Sequence, residues 1–263
     1  MTKSQELAEL GWCLFDHDTK LVDWVSAALP AARAAVRDPA LAHLLQCEDT
    51  WFVGLDALPN DPEGRIDGSD PLQGTAVDFL RSAGVWSDLH PAQISITYPG
   101  YPKPRDGETP AAFRYRLNRD AAHIDGIIAT GPERRRIISE PHAWILGIAL
   151  TEADATAAPL VVWSGSPAII RRGLLEALSP YQPAQWESID VTEAYQSARR
   201  EVFETCPRVE LPMKPGQAVL LHRLALHGVA PWQPDAQASA DGRMIAYFRP
   251  PMPGGVAEWL KND

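Results

Sequence analysis

A mainly β fold with flanking helices is the class this sequence predicts, and three observations lead to it. Beyond residue 92 apolar positions alternate with polar or small ones, as at Ile94, Ile96 and Tyr98, or gather in short runs over 144–150, 160–163, 219–226 and 244–248. Alternation marks a half-buried strand, and a short apolar run bounded by turn residues marks a buried one. The 24 prolines fall mostly between these segments, which suits a chain with many turns. Strands do not alternate regularly with helices, and no Gly-x-Gly-x-x-Gly or Walker-type loop is present, so a nucleotide-binding parallel sheet is set aside. A β-sandwich or barrel with helical decoration remains.

Taken in order, Thr2 and Gln5 have capping-box spacing ahead of Leu7, Leu10, Leu14 and Phe15, which predicts an opening helix. A second helical pattern covers 21–37, with Pro30 expected to kink or split it. Residues 60–71 are rich in Asp, Gly and Pro and form a surface loop on turn chemistry. A short helix is expected over 75–83. The strands named above follow, interrupted by helices over 169–178 and 191–203, the latter with Asp190 and Glu193 at capping-box spacing. One domain over 1–263 is expected: a mostly helical part, 1–90, packed on a β core, 91–250.

Composition narrows the function. The balance of 24 basic and 34 acidic residues gives a net charge of −10, a poor match to a phosphate backbone, so nucleic acid is not the expected partner. The three cysteines, Cys13, Cys47 and Cys206, form no CxxC pair, which argues against a zinc–thiolate site and for a reducing, cytoplasmic setting. The first nine residues lack the basic-then-apolar pattern of a signal peptide. No apolar run approaches the ~20 residues of a membrane span. A small-molecule substrate is the expected partner.

Three pieces carry chemistry. His123-Ile124-Asp125-Gly126 places an imidazole and a carboxylate at i and i+2, on one side of an extended segment, where both can meet one metal ion. Two histidines and one carboxylate on one face of an octahedron leave positions open for oxygen and a cosubstrate, the pattern of non-haem iron(II) oxygenases. Alone, His-x-Asp is a weak signal, more often a histidine bonded to a nearby carboxylate. A Pro215-Gly216 turn then feeds an apolar run that reaches His222 and His227-Gly228. Five residues apart, the two histidines would face opposite ways on a regular strand. His227 is favoured because Gly228 permits close backbone approach, and His222 is assigned to the core. Finally, Arg243 opens the strand 243–248; if that strand pairs with the one ending at His227, a guanidinium lies near the metal, able to grip a dicarboxylate with two parallel bonds.

Together these residues resemble the phytanoyl-CoA dioxygenase family of iron(II)/2-oxoglutarate oxygenases, over residues 93–249. Ala121-Ala122-His123-Ile124-Asp125-Gly126 resembles the family's first ligand motif. Thr151-Glu152-Ala153-Asp154 and Pro159 through Ser166 resemble its acidic loop and Pro-Gly-Ser-His segment, and Lys214 through Pro231 its distal histidine motif. Val229, Pro167 and Trp232 stand where many members carry serine, histidine and asparagine, and residues 233–241 lengthen the interval to Arg243.

The resemblance implies a double-stranded β-helix (jelly-roll) core. It implies Fe(II) held by His123, Asp125 and His227, 2-oxoglutarate held by Arg243, O2 as co-reactant, and hydroxylation of a small organic molecule. With Asp125 at the carboxylate position, hydroxylation is expected over halogenation. Residues 233–241 are expected at the pocket rim or as a lid. Tyr98 and Trp144 are weighed as pocket walls and given to the core. Arg114, Arg116, Arg119 and Arg134 to Arg136 could attract an anionic substrate, though such runs are more often solvated faces. Two other readings stand beside this one: a cupin-like metalloenzyme that does not use 2-oxoglutarate, and a non-catalytic binding protein on the same barrel.

Overall fold

A computed structural model describes residues 1–261. The chain opens with α1 (Lys3–Leu10), β1 (Trp12–Phe15), α2 (Thr19–Arg37), β2 (Leu45–Gln46), β3 (Trp51–Gly54) and α3 (Thr75–Ser82). Then come β4 (Gln93–Thr97), α4 (Pro110–Asn118), the hairpin β5 (Ile127–Thr130) and β6 (Arg135–Ile138), β7 (Trp144–Ala149) and β8 (Leu160–Trp163). Two helices follow, α5 (Ser166–Leu178) and α6 (Thr192–Thr205), then β9 (Arg208–Leu211), β10 (Ala218–His222), β11 (His227–Val229), β12 (Arg243–Phe248) and α7 (Gly255–Trp259).

Apart from that hairpin, the strands form two sheets, with every ladder antiparallel. The larger has the order β1-β10-β7-β12-β4-β3-β2, the smaller β11-β8-β9. Strand alternation sorts the side chains into layers. On the outer face of the large sheet, Ile94, Ile96, Leu146, Ile148, Leu220 and Phe248 pack against Leu21, Trp24 and Ala28 of α2 and Val77 and Leu80 of α3. On its inner face, Ile145, Val219 and Ile245 meet Leu160, Val162 and Leu211 of the small sheet. The small sheet's outer face, with Val161 and Trp163, is covered by Ile170 and Leu174 of α5 and Tyr195 and Val202 of α6. The site lies between the two sheets.

Several sequence expectations change. The two sheets share no ladder among the described residues, so the expected barrel is present only as two antiparallel sheets facing across one core, and no closed barrel forms. The opening helix has its capping box but stops at Leu10, because Gly11 takes a left-handed conformation (φ 87°). Leu14 and Phe15 instead belong to β1, paired with β10. Residues 1–90 contribute α2 and α3 to the outer layer and also three strands, β1, β2 and β3, to the larger sheet. Pro30 does not divide α2, which is continuous over Thr19–Arg37. No capping box opens α6; the Asp190 carboxylate takes the Thr192 N–H directly at 2.9 Å. The apolar run over 219–226 is not one strand. It breaks after His222, turns through an Ala225 N–H bond to the His222 carbonyl, and re-enters the other sheet as β11.

Candidate metal centre

His123 and His227 face each other as an isolated antiparallel pair. The His123 N–H donates to the His227 carbonyl at 2.8 Å, and the His227 N–H to the His123 carbonyl at 3.1 Å. Two glycines make the approach possible. A Cβ on Gly228 would lie 2.0 Å from the Asp120 carbonyl oxygen, and one on Gly126 (φ 88°) 2.4 Å from that of Glu140. Neither position has room for a side chain.

The segment bearing His123 and Asp125 is held from behind. The Ile124 N–H donates to the Tyr195 hydroxyl at 3.0 Å, and the Tyr115 hydroxyl donates to the Ala122 carbonyl at 3.0 Å. Arg199 donates to the Tyr115 oxygen at 2.8 Å, and its guanidinium lies over both tyrosine rings, 5.0 and 4.7 Å from their centroids. Asp120 is gripped by Arg208 through two bonds of 2.7 and 2.9 Å. Nothing in the sequence spacing pointed to Tyr115, Tyr195 or Arg199, which come from α4 and α6.

In this frame one atom from each of His123, Asp125 and His227 lies within 4.8 Å of the other two. The imidazole rings are 4.6 Å apart between centroids. His123 Nδ1 sits 3.0 Å from the Ala121 carbonyl, and His227 Nδ1 3.0 Å from that of Ala225. A carbonyl can only accept, so each Nδ1 carries the hydrogen and each Nε2 presents a lone pair. Both Nε2 atoms point to the same Asp125 oxygen, Oδ1, at 3.2 and 3.8 Å. Burial pulls the pKa of His227 down to about 4, helped by the neighbouring His123 and opposed by Asp125, which keeps the ring neutral near pH 7. Burial pushes the Asp125 carboxyl up, but its contacts with His123, His227 and Arg249 outweigh it and hold the group well below the usual carboxylate range. Two neutral imidazole nitrogens and one carboxylate oxygen form a 2-His-1-carboxylate triad suited to ferrous iron, with the outer nitrogens tied down as metal-binding histidines require.

His222 takes no part in this cluster. Buried at the end of β10, it accepts the Leu224 N–H on Nδ1 at 2.9 Å and lies 3.4 Å from Arg171. Since the chain changes sheets between the two histidines, strand parity is not what separates them.

A cavity of about 200 Å³ opens from the triad between the sheets. Its apolar wall includes Trp51, Val53, Ile145, Leu160 and Val229, and its polar lining includes Gln93, Ser95, Tyr247 and Arg249. The expectation that β12 pairs with the strand of His227 is not met. β12 lies between β7 and β4 in the large sheet, and β11 is in the small one. Along β12 the inner face carries Arg243, Ile245 and Tyr247, with Arg249 next in the alternation. The end of this strand near the triad is therefore Arg249, whose Nη1 lies 3.2 Å from Asp125 Oδ2.

Arg243 is at the other end, across the sheet from Thr97, which in turn pairs with Trp51 of the cavity wall. Arg243 is buried, as is Thr97. Among the described residues Arg243 Nη1 and Nη2 and Thr97 Oγ1 have no hydrogen-bond partner. Burial raises the pKa values of the Tyr101 and Tyr247 phenols; Arg116 chiefly, and Arg243 least, offset this at Tyr101, while the charge and a side-chain hydrogen bond of Arg243 offset it at Tyr247.

Other expectations resolve as follows. Trp144 stacks on Trp86 in the outer core, and neither it nor Tyr98 lines the cavity. No residue of 233–241 lines it either. That segment is fastened to the 153–157 loop by an Ala153–Ala238 bridge and by the Gln237 N–H on the Asp154 carboxylate at 2.8 Å. None of the arginines flanking the first motif lines the cavity: Arg116 is buried on Glu108, Arg135 pairs at the surface with Glu133 and Asp190, and Arg136 lies over Tyr195.

No protein-family model matches the sequence, and no curated protein matches it. Solved structures do match. The carbocyclase SnoK, a non-heme alpha ketoglutarate dependent enzyme from nogalamycin biosynthesis, aligns over 95% of this chain and 84% of its own at 14% identity, with a TM-score of 0.52. The epimerase SnoN from the same biosynthesis aligns over 98% and 86% at 13% identity and a TM-score of 0.47. The apoform of EctD from S. alaskensis aligns over 95% and 77% at 15% identity, also with a TM-score of 0.47. The likeness to SnoK is one of fold: a mixed α/β arrangement around an antiparallel core.

Proposed function

We propose that this chain is an iron(II)- and 2-oxoglutarate-dependent oxygenase of the phytanoyl-CoA dioxygenase type, built on a jelly-roll core, which hydroxylates a small organic molecule. The observation that carries the reading is the coincidence, on one inner surface, of the triad and a buried guanidinium whose two terminal nitrogens have no hydrogen-bond partner among the described residues. A metal site alone fits many activities. A buried cation with two free parallel donors is costly unless an anion completes it, and a carboxylate is the anion that matches a guanidinium fork.

In this reading His123 Nε2, His227 Nε2 and Asp125 Oδ1 hold the metal. Arg243 and the Thr97 hydroxyl receive the far carboxylate of 2-oxoglutarate, which would extend from the triad toward the rung of Trp51, Thr97 and Arg243. Iron with 2-oxoglutarate, when bound, supplies the activation of O2 and the oxidation of substrate. The protein's part is to fix the donors, orient the dicarboxylate and exclude water through Trp51, Val53, Ile145, Leu160 and Val229. The substrate meets the same wall from the open side, where the exposed Leu55 stands. The orphaned guanidinium favours this reading over a metalloenzyme that does not use 2-oxoglutarate.

The test is anaerobic loading with iron(II), followed by oxygen and 2-oxoglutarate. Slow succinate release without substrate, accelerated by the right metabolite and accompanied by a product one oxygen atom heavier, is the expected result. Iron-loaded protein that never forms succinate overturns the assignment and leaves the binding-protein reading in its place.

A further inference from the structure

Sequence order offers Arg249 only as second choice to Arg243 for the cosubstrate, with no role at Asp125. We propose that Arg249 is a positioning residue, which holds Asp125 as a one-oxygen ligand by engaging the other oxygen. The inference rests on the triad being a metal site, and adds a residue that the triad itself does not contain.

The two oxygens of Asp125 have different surroundings. Oδ1 faces both His Nε2 atoms, at 3.2 and 3.8 Å, while Oδ2 is 3.2 Å from Arg249 Nη1. Asp125 and Arg249 are both largely enclosed, with side chains 11% and 18% exposed. Arg249 is itself anchored by its backbone. Its N–H donates to His90 Nε2 at 3.2 Å, and His90 Nδ1 lies 3.2 Å from Asp56 Oδ1. Arg249 Nε is buried without a partner among the described residues, so the guanidinium holds its place at the cost of an unmet donor.

A carboxylate next to a metal can bind through one oxygen or two. The second oxygen would take a coordination position that a cosubstrate or oxygen needs. Occupying Oδ2 with a charge-assisted hydrogen bond removes that option and fixes the rotation of the carboxylate. Arg249 also places a positive charge near the metal, which by itself weakens cation binding. The two effects have opposite signs, so an experiment can separate them.

Metal-free protein is titrated with cobalt(II) alone, without 2-oxoglutarate or substrate, and followed by its visible ligand-field absorption. Wild type, Arg249→Met, Arg249→Lys and, as a control, His227→Ala are compared, with thermal unfolding to establish that each is folded. Orientation by Arg249 predicts that Arg249→Met loses about 10- to 100-fold in cobalt affinity, with a shifted and broadened absorption band, as for other outer-shell partners of metal ligands. Arg249→Lys, which keeps a charge and one donor, recovers most of the affinity.

Tighter binding in Arg249→Met, or an unchanged spectrum and affinity, overturns the proposal and leaves Arg249 as a charge in the wall. A large loss of 2-oxoglutarate affinity in Arg249→Met with an unchanged cobalt spectrum overturns it in favour of a cosubstrate anchor. If His227→Ala binds cobalt like wild type, the metal assignment itself fails. That outcome is distinct from failure of the Arg249 role alone.

Discussion

Arg116 and Arg243 are both buried, 7% and 5% exposed, yet the protein treats them in opposite ways. Arg116 is completed by the chain. It donates to both Glu108 oxygens at 2.8 and 2.7 Å and to the Lys103 carbonyl at 2.6 Å, with Cys47 Sγ 3.3 Å away. The pairing is felt on both sides: Arg116 is raised, chiefly by Glu108, and the Glu108 carboxyl is lowered, chiefly by Arg116. Arg243 has two terminal nitrogens with no partner among the described residues. The first arginine is part of what the fold is. Under the proposed function the second is a cost that a ligand would repay, which separates a structural cation from a proposed binding one.

The largest effect expected from this contrast is on Arg116. Arg116→Met leaves Glu108 enclosed and uncompensated, and should destabilise the protein by about 3–5 kcal/mol, read by urea unfolding. A loss below about 1 kcal/mol would show the pair to be ordinary surface chemistry and erase the contrast.

Arg243 should behave in the reverse way. Arg243→Met is expected to leave the ligand-free protein as stable as wild type or more so, since a buried charge whose terminal nitrogens lack partners among the described residues is exchanged for an apolar chain. Arg243→Lys should keep the metal and lose about 10-fold or more in 2-oxoglutarate affinity, because a point charge replaces a fork. Calorimetry with an inert metal checks both. Unchanged affinity in the lysine variant would move the anchor to Arg249, which lines the cavity.

The smallest effect belongs to Thr97→Val. Removing an unpaired buried hydroxyl should not destabilise the ligand-free protein, while loss of one hydrogen bond to the cosubstrate should cost about 1 kcal/mol of binding. A clear loss of stability with unchanged 2-oxoglutarate affinity would mean that the hydroxyl serves the fold.

What the sequence disclosed depended on how local the controlling physics was. The inner and outer faces of the strands follow from alternation, and the spacing of His123 and Asp125 with the Gly228 signal brought out the three triad residues. Strand partners are set by contacts between segments distant in sequence. Hence β12 was assigned the wrong neighbour, and the arginine at its far end, Arg249, was ranked behind Arg243 although it touches Asp125. Leu14 and Phe15 continue a helical spacing past Gly11, where only the left-handed turn and the pairing with β10 reveal a strand. The run ending at His227 looked like one strand because Leu224, Ala225 and Leu226 are all apolar; they are buried in the turn that carries the chain from one sheet to the other. Tyr195 and Tyr115, which steady the His123 segment, lie on helices and carry no metal-ligand signature.

The paired backbone bonds between His123 and His227 have a kinetic consequence. Because the two segments are joined at their own main chains, the imidazoles stay together whether or not anything lies between them. An arriving ion that meets one nitrogen finds the other already at high effective concentration, so ring closure costs little further entropy. On departure, breaking one metal–nitrogen bond does not let that histidine drift, and recapture competes with escape. If the triad holds a metal as proposed, this backbone rung makes the pair a ready-formed chelate that should slow the ion's release.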